Sequence, residues 1–158
     1  MIDIATRRVH IAGTTVNPSS AWMSQVVRNL TDCVDGFLKG KRYLILDRDA
    51  LFADGFKAIL RSSGTKIVHT SIQAPNMNAF SERFVLSIKS ECLDRMIFVG
   101  AASLDRAIRE FMIHYHAERP HQGLESALIA GGPTMSEGRV EVRDRLGGLL
   151  KYYYREAA

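Results

Sequence analysis

The sequence predicts an α/β fold, on two observations. Tyr43-Leu44-Ile45-Leu46 is a continuous apolar run ending at Asp47, the pattern of a strand buried on both faces. Apolar residues also recur at helical spacing in separate stretches on either side of it, so strands and amphipathic helices share the chain. Acids at Asp47 and Asp49 fall just past the carboxyl end of the strand, where open α/β sheets place their ligands.

Composition sets the bounds. The 158 residues are 46% apolar and 24% charged, enough to bury a core as one ordinary domain. The net charge of +4 favours contact with phosphate but is mild for a protein that coats nucleic acid. Cys33 and Cys92 lack the spacing of a zinc or redox motif, which leaves them as small buried apolar side chains and suits a reducing cytoplasm. No run approaches the ~18 consecutive apolar residues of a membrane span, and no signal sequence opens the chain.

Residues 1–16 place β-branched and apolar residues around Arg7-Arg8, which predicts the end of a strand, a hairpin turn and a second strand. Asn17-Pro18-Ser19-Ser20 forms a turn with Ser20 as a helix cap. Trp22, Met23, Val26, Val27 and Leu30 form the apolar face of a helix running to about Asp35 and ended by Gly36, with Trp22 as a core anchor. After the Tyr43 strand, Phe52, Phe56, Ile59 and Leu60 mark a short helix stopped by Ser63-Gly64, and residues 66–70 form the next strand.

A linker through Pro75 leads to Asn78, a good cap for a helix whose apolar face is Phe80, Phe84, Val85 and Ile88. Glu82 lies in its first turn and Lys89 about two turns later on nearly the same face. Leu104, Ala107, Ile108, Phe111, Met112 and Tyr115 define a further helix, closed by Arg119-Pro120-His121. A composition shift at Gly131-Gly132-Pro133 separates residues 1–130 from a basic and aromatic extension, 131–158, that adds a strand or helix to the core or lies on nucleic acid.

Phosphodiester transfer on DNA needs an activated oxygen nucleophile, a stabilised leaving oxygen and charge neutralisation, all of which paired magnesium ions supply from a few carboxylates. Asp47 and Glu82 are the acids placed for this, although each also has a plain reading, Asp47 as a turn former and Glu82 as a first-turn acid favoured by the helix dipole. His114, His116 and His121 lack the second ligand cluster of a zinc site.

Taken together, Asp47-Arg48-Asp49-Ala50-Leu51-Phe52, Pro75, Asn78-Ala79, Glu82-Arg83-Phe84, Ser87-Ile88-Lys89, Glu91-Cys92, Tyr115, Arg119-Pro120-His121 and Gly123-Leu124 resemble the integrase catalytic core of insertion-sequence transposases, related to retroviral integrases. The resemblance implies an RNase H-like mixed sheet flanked by helices and a DDE triad of two aspartates and a glutamate. In that pattern Asp47 and Glu82 are catalytic metal ligands for Mg2+ or Mn2+, and Lys89, Arg83 and Arg119 are DNA-binding residues. The implied partners are transposon-end and target DNA, with a homo-oligomer or a full-length transposase, acting in a bacterial cytoplasm at the nucleoid.

The sequence departs from the pattern at its start. Ile2-Asp3-Ile4-Ala5-Thr6-Arg7 resembles the second-strand element, so Asp3 matches a non-catalytic position. The expectation is therefore a partial core, lacking its first, central strand and that strand's aspartate, and inactive in strand cleavage and transfer as this chain. The alternative is a non-catalytic DNA-binding or multimerising transposase remnant.

Overall fold

The computed structural model describes residues 1–70, 78–131 and 137–156. It is a mixed α/β structure that divides into two compact units, one of Met1 and His10–Ala79 and the other of Ile2–Val9 and Phe80–Ala158. The expected linker through Pro75 and the Gly132-Pro133 part of the composition shift lie outside the described residues.

In the first unit, helix α1 (Ser20–Leu30) is capped by Ser19, one residue before the expected Ser20, through a 3.2 Å bond from the Trp22 N–H. It ends earlier than Asp35. The Thr31 hydroxyl donates to the Val27 carbonyl at 2.8 Å, and Asp32 Oδ1 accepts the Val34 N–H at 2.7 Å, so local side-chain bonds outcompete the next helical turn. Gly36 follows in that turn because a Cβ there would lie 2.5 Å from the Asp32 backbone. Cys33 is exposed in the same turn, contrary to the expectation that both cysteines are buried, whereas Cys92 is buried.

Strand β1 (Tyr43–Leu46) pairs in parallel with β2 (Lys66–His69), from Tyr43 opposite Lys66 to Leu46 opposite His69. Helix α2 (Asp54–Ser62) makes the crossover that a parallel pair requires. Gly64, at φ +83°, ends the segment after α2 at the predicted stop, in a conformation that costs glycine little. The strand expected to be buried on both faces is not: Leu46 is buried, while Tyr43 is 55% exposed. Among the described residues this sheet has two strands, and α1 and α2 pack with Leu46 on one side of it. Met23, Val26, Val27, Leu30, Leu38, Leu46, Phe56 and Leu60 form the core, with Trp22 half-buried at its margin.

In the second unit, Ile2 and Val9 meet in a single antiparallel bridge rather than the strand end and second strand predicted. Asp3 explains the tightness of the turn: its Oδ1 accepts the Ala5 N–H at 2.9 Å, and its backbone bonds to Arg7 and Arg8. Helix α3 (Ala79–Glu91) buries Phe84 and Ile88, one turn apart. Phe80 and Val85, expected on the same face, are 40% and 44% exposed, since the covered stripe is narrower than the apolar run. Helix α4 (Gly100–Ala117) supplies Ala107, Phe111 and Tyr115 to the core.

The Phe84 ring meets Tyr115 edge-on at 5.1 Å and Phe111 at 6.3 Å. The extension adds a hairpin, β3 (Val140–Arg145) and β4 (Leu150–Arg155), antiparallel in register from Val140 opposite Arg155 to Arg145 opposite Leu150. Its alternation puts Glu141, Arg143, Arg145, Leu150, Tyr152 and Tyr154 on one face, and Leu150 is buried.

Candidate DNA and metal site

Asp47 follows β1 directly and is exposed. Its Oδ1 accepts a 3.3 Å bond from the Asp49 N–H, and Asp49 Oδ1 in turn accepts the Leu51 N–H at 2.8 Å. Asp47 and Asp49 each hold a turn of this segment with their own carboxylate, for Asp47 in line with its plain reading as a turn former. Asp47 belongs to the first unit and Glu82 to the second.

Glu82, Arg83 and Lys89 are all exposed on α3. Arg119 follows α4 and makes a fork to Glu91 near the end of α3, with Nε–Oε2 at 3.1 Å and Nη2–Oε1 at 2.7 Å. The second unit therefore brings Glu82, Arg83, Lys89 and Arg119 onto or beside one helix. The Arg119 charge is shared with Glu91, so this arginine holds α3 to α4 as well as presenting positive charge.

Among the described residues, no group of three or more His, Cys, Asp or Glu side chains is placed to hold a metal ion. Asp47 and Glu82 fit a magnesium-type ion in the kind of donor they offer, exposed carboxylate oxygen. Asp3 spends Oδ1 on the Ala5 and Thr6 N–H groups of its own turn.

Sequence reasoning missed the most elaborate polar cluster of the second unit. Glu118 is buried, and its carboxylate accepts from Arg145 Nε at 2.8 Å and Nη2 at 2.6 Å, from His114 Nδ1 at 3.2 Å and from Arg143 Nη1 at 3.5 Å. Arg145 Nη1 also reaches Glu110 at 2.7 Å. The charge-assisted bonds of Arg145 hold the Glu118 carboxyl below the usual carboxylate range, and the two carboxylates hold Arg145 charged. The i,i+4 spacing of His114 and Glu118 was visible in the sequence, but their arginine partners come from the distant hairpin.

The other two histidines of this segment are structural as well. His116 Nε2 accepts the Val9 N–H at 3.0 Å, which ties the first turn to α4 and requires that nitrogen to be unprotonated. His121 Nε2 lies 2.6 Å from the Tyr115 carbonyl, fixing the turn after α4 as the Arg119-Pro120-His121 pattern suggested. Burial lowers the pKa of both, and of His10, from 6.5.

The unfolded chain binds more protons below about 6.5, so stability present above that pH is lost as pH falls toward the lowered folded values. Glu118 adds a second loss, below its ordinary value of 4.5. The urea midpoint is expected to fall between pH 7 and 5, with a further drop below 4.5. A midpoint that is flat or rises between pH 7 and 5 would show that these histidines are not buried as neutral groups.

A two-unit α/β chain with an acid at a strand end, and a helix bearing a carboxylate beside basic residues, is the class of protein these observations define. Residues 63–127 match the family model described as the integrase core domain. Glu82, Arg83, Lys89 and Arg119 lie inside the matched segment, and Asp47 lies before it. Neither a curated protein nor a solved structure matches the chain. Integrase core domains act on DNA and are typically dependent on a divalent metal. No helix among the described residues is long and apolar enough to cross a membrane.

Proposed function

We propose that the chain is part of a transposase catalytic core of RNase H-like type, in which Asp47 and Glu82 are metal-binding acids and Lys89, Arg83 and Arg119 engage the DNA backbone. The observation that carries this reading is the integrase-core match across α3, which covers Glu82 and its basic neighbours. A divalent cation held by such acids supplies Lewis-acid activation of a phosphodiester and lowers the pKa of bound water. Lys89 and Arg83, exposed on α3, neutralise phosphate charge and fix register on the duplex without reading sequence.

With two of the three implied acids, these 158 residues are expected to bind DNA without cleaving or joining it. The test is end cleavage and strand transfer on DNA carrying cognate terminal repeats, with Mg2+ and with Mn2+. Robust turnover would overturn the inactive reading and place a third acid elsewhere in the chain. The second reading, a multimerising remnant, is favoured by Val85 and Leu86, 44% and 67% exposed on α3 beside the basic residues. Co-purification with an intact transposase, independent of metal, would support it.

A further inference from the structure

The hairpin of the second unit has two strands, so each of them has an open edge among the described residues. In an antiparallel pair only alternate residues exchange backbone bonds with the partner strand. The Glu156 N–H donates to the Arg139 carbonyl at 3.2 Å, which makes Glu141–Tyr154, Arg143–Tyr152 and Arg145–Leu150 the bonded pairs of the ladder. The N–H and C=O groups of Val140, Val142 and Asp144 therefore point out of the hairpin, with no hydrogen-bond partner among the described residues. Their side chains are exposed as well, Val140 at 53% and Val142 at 49%. An open edge of this kind is a template for another strand.

The sequence of β3 fits a second copy of itself. Antiparallel pairing about Val142 uses all three outward residues: Val142 faces Val142 of the second copy, and Val140 faces its Asp144. The intervening positions, where side chains approach more closely, then set Glu141 opposite Arg143 on each side of the axis. Moving the axis by one residue sets Glu141 opposite Glu141, or Arg143 opposite Arg143, so charge selects the register. The β4 edge lacks this fit, because the register that uses Lys151, Tyr153 and Arg155 sets Lys151 opposite Arg155. Both charges of β3 are free to turn to the second copy. Arg143 is 53% exposed and reaches Glu118 only at 3.5 Å, while Glu141 holds Arg139, itself 86% exposed, at 3.1 Å.

We infer that two copies of the chain associate edge to edge through β3, joining their hairpins into one antiparallel sheet in the order β4-β3-β3-β4. Val142 and Tyr153, opposite one another on the outer face of the hairpin, form with their counterparts a single apolar row across that sheet. The inference rests on the hairpin and not on the DNA-directed or metal-binding reading, and it assigns self-association to the extension rather than to Val85 and Leu86 of α3. Three edge residues from each copy make a small interface, so dissociation in the range of about 1–100 μM is expected.

Sedimentation equilibrium of the full chain, without DNA or metal, measures the association, and circular dichroism checks that each variant is folded. Wild type is compared with Val142→Pro, Tyr153→Pro, Leu86→Ser, Glu141→Arg and Arg143→Glu. Proline at 142 removes an outward N–H and leaves every bond between β3 and β4 in place, and proline at 153 does the same on the opposite edge. The two charge variants are also mixed, since each supplies the charges that the other needs across the axis. Both alter side chains with access to solvent, so they fold even where a proline variant does not.

The wild type is expected to dimerise, Val142→Pro to stay monomeric, and Tyr153→Pro and Leu86→Ser to dimerise as the wild type does. Glu141→Arg and Arg143→Glu should each weaken self-association by about tenfold or more, and their equimolar mixture should recover it. A wild type that is monomeric at about 500 μM overturns the interface. So does a dimer that survives Val142→Pro, or a mixture of the charge variants that associates no better than either alone. Association lost in Leu86→Ser but kept in Val142→Pro gives the interface to α3 and overturns the β3 edge. None of these outcomes bears on DNA binding, which a separate titration decides.

Discussion

Replacing Glu118 with alanine is expected to destabilise the second unit by about 3–5 kcal/mol, the cost of leaving a buried charge without its partner. The side chain is 2% exposed and Arg145 is 16% exposed, so neither charge is well solvated. The substitution removes the acceptor of both Arg145 bonds, of the His114 bond and of the weaker Arg143 contact in one step. Glu110 can hold only one arm of Arg145. Because the partners sit on α4 and β3, the loss falls first on the attachment of the hairpin. Urea unfolding followed by circular dichroism measures it, and Glu118→Gln should recover part of the loss by keeping the shape and some of the bonds. A change below about 1 kcal/mol in Glu118→Ala would place this cluster with ordinary surface ion pairs.

Replacing Phe111 with alanine is expected to cost about 3–5 kcal/mol as well, for a different reason. Phe111 is fully buried, and its ring packs at 5.9 Å from Tyr115 and 6.3 Å from Phe84. Its removal leaves a cavity where α3 and α4 are held together by aromatic contacts. The helix presenting Glu82, Arg83 and Lys89 would loosen with it, so weaker DNA binding should accompany the lower melting temperature. A variant that melts normally, with unchanged DNA affinity, would show that α3 is positioned by other contacts.

The elements that were legible in the sequence are those whose pattern is local. Apolar spacing located α1, α2, α3 and α4, and the short strands at Tyr43 and Lys66 stand where β-branched and apolar runs put them. What was not legible depended on partners far away in the chain. The apolar run at Tyr43 says nothing of whether helices cover both faces of the sheet, so its exposed side could not be foreseen. The early end of α1 follows from the Asp32 carboxylate turning back on Val34 and Asp35, a competition that hydrophobic periodicity does not register. The basic and aromatic tail read as an added strand or helix ahead of a nucleic-acid surface, and the hairpin it forms is held by a partner, Glu118, that lies far from it in the sequence.

In the site, Glu82, Arg83 and Lys89 were legible as candidates because a helix carries them in fixed phase, and Arg119 through the Arg-Pro-His segment it opens.

The proposal that Asp47 and Glu82 are metal ligands is the center of this account, and calorimetric titration with Mn2+ tests it most directly. The wild-type chain is expected to bind weakly, with Asp47→Asn and Glu82→Gln each weakening binding by about tenfold or more, equivalent to about 1.4 kcal/mol. Asp49→Asn, altering a carboxylate already committed to a turn, should bind as the wild type does. Binding that survives both the Asp47 and the Glu82 substitutions unchanged would contradict the assignment of a metal to these acids.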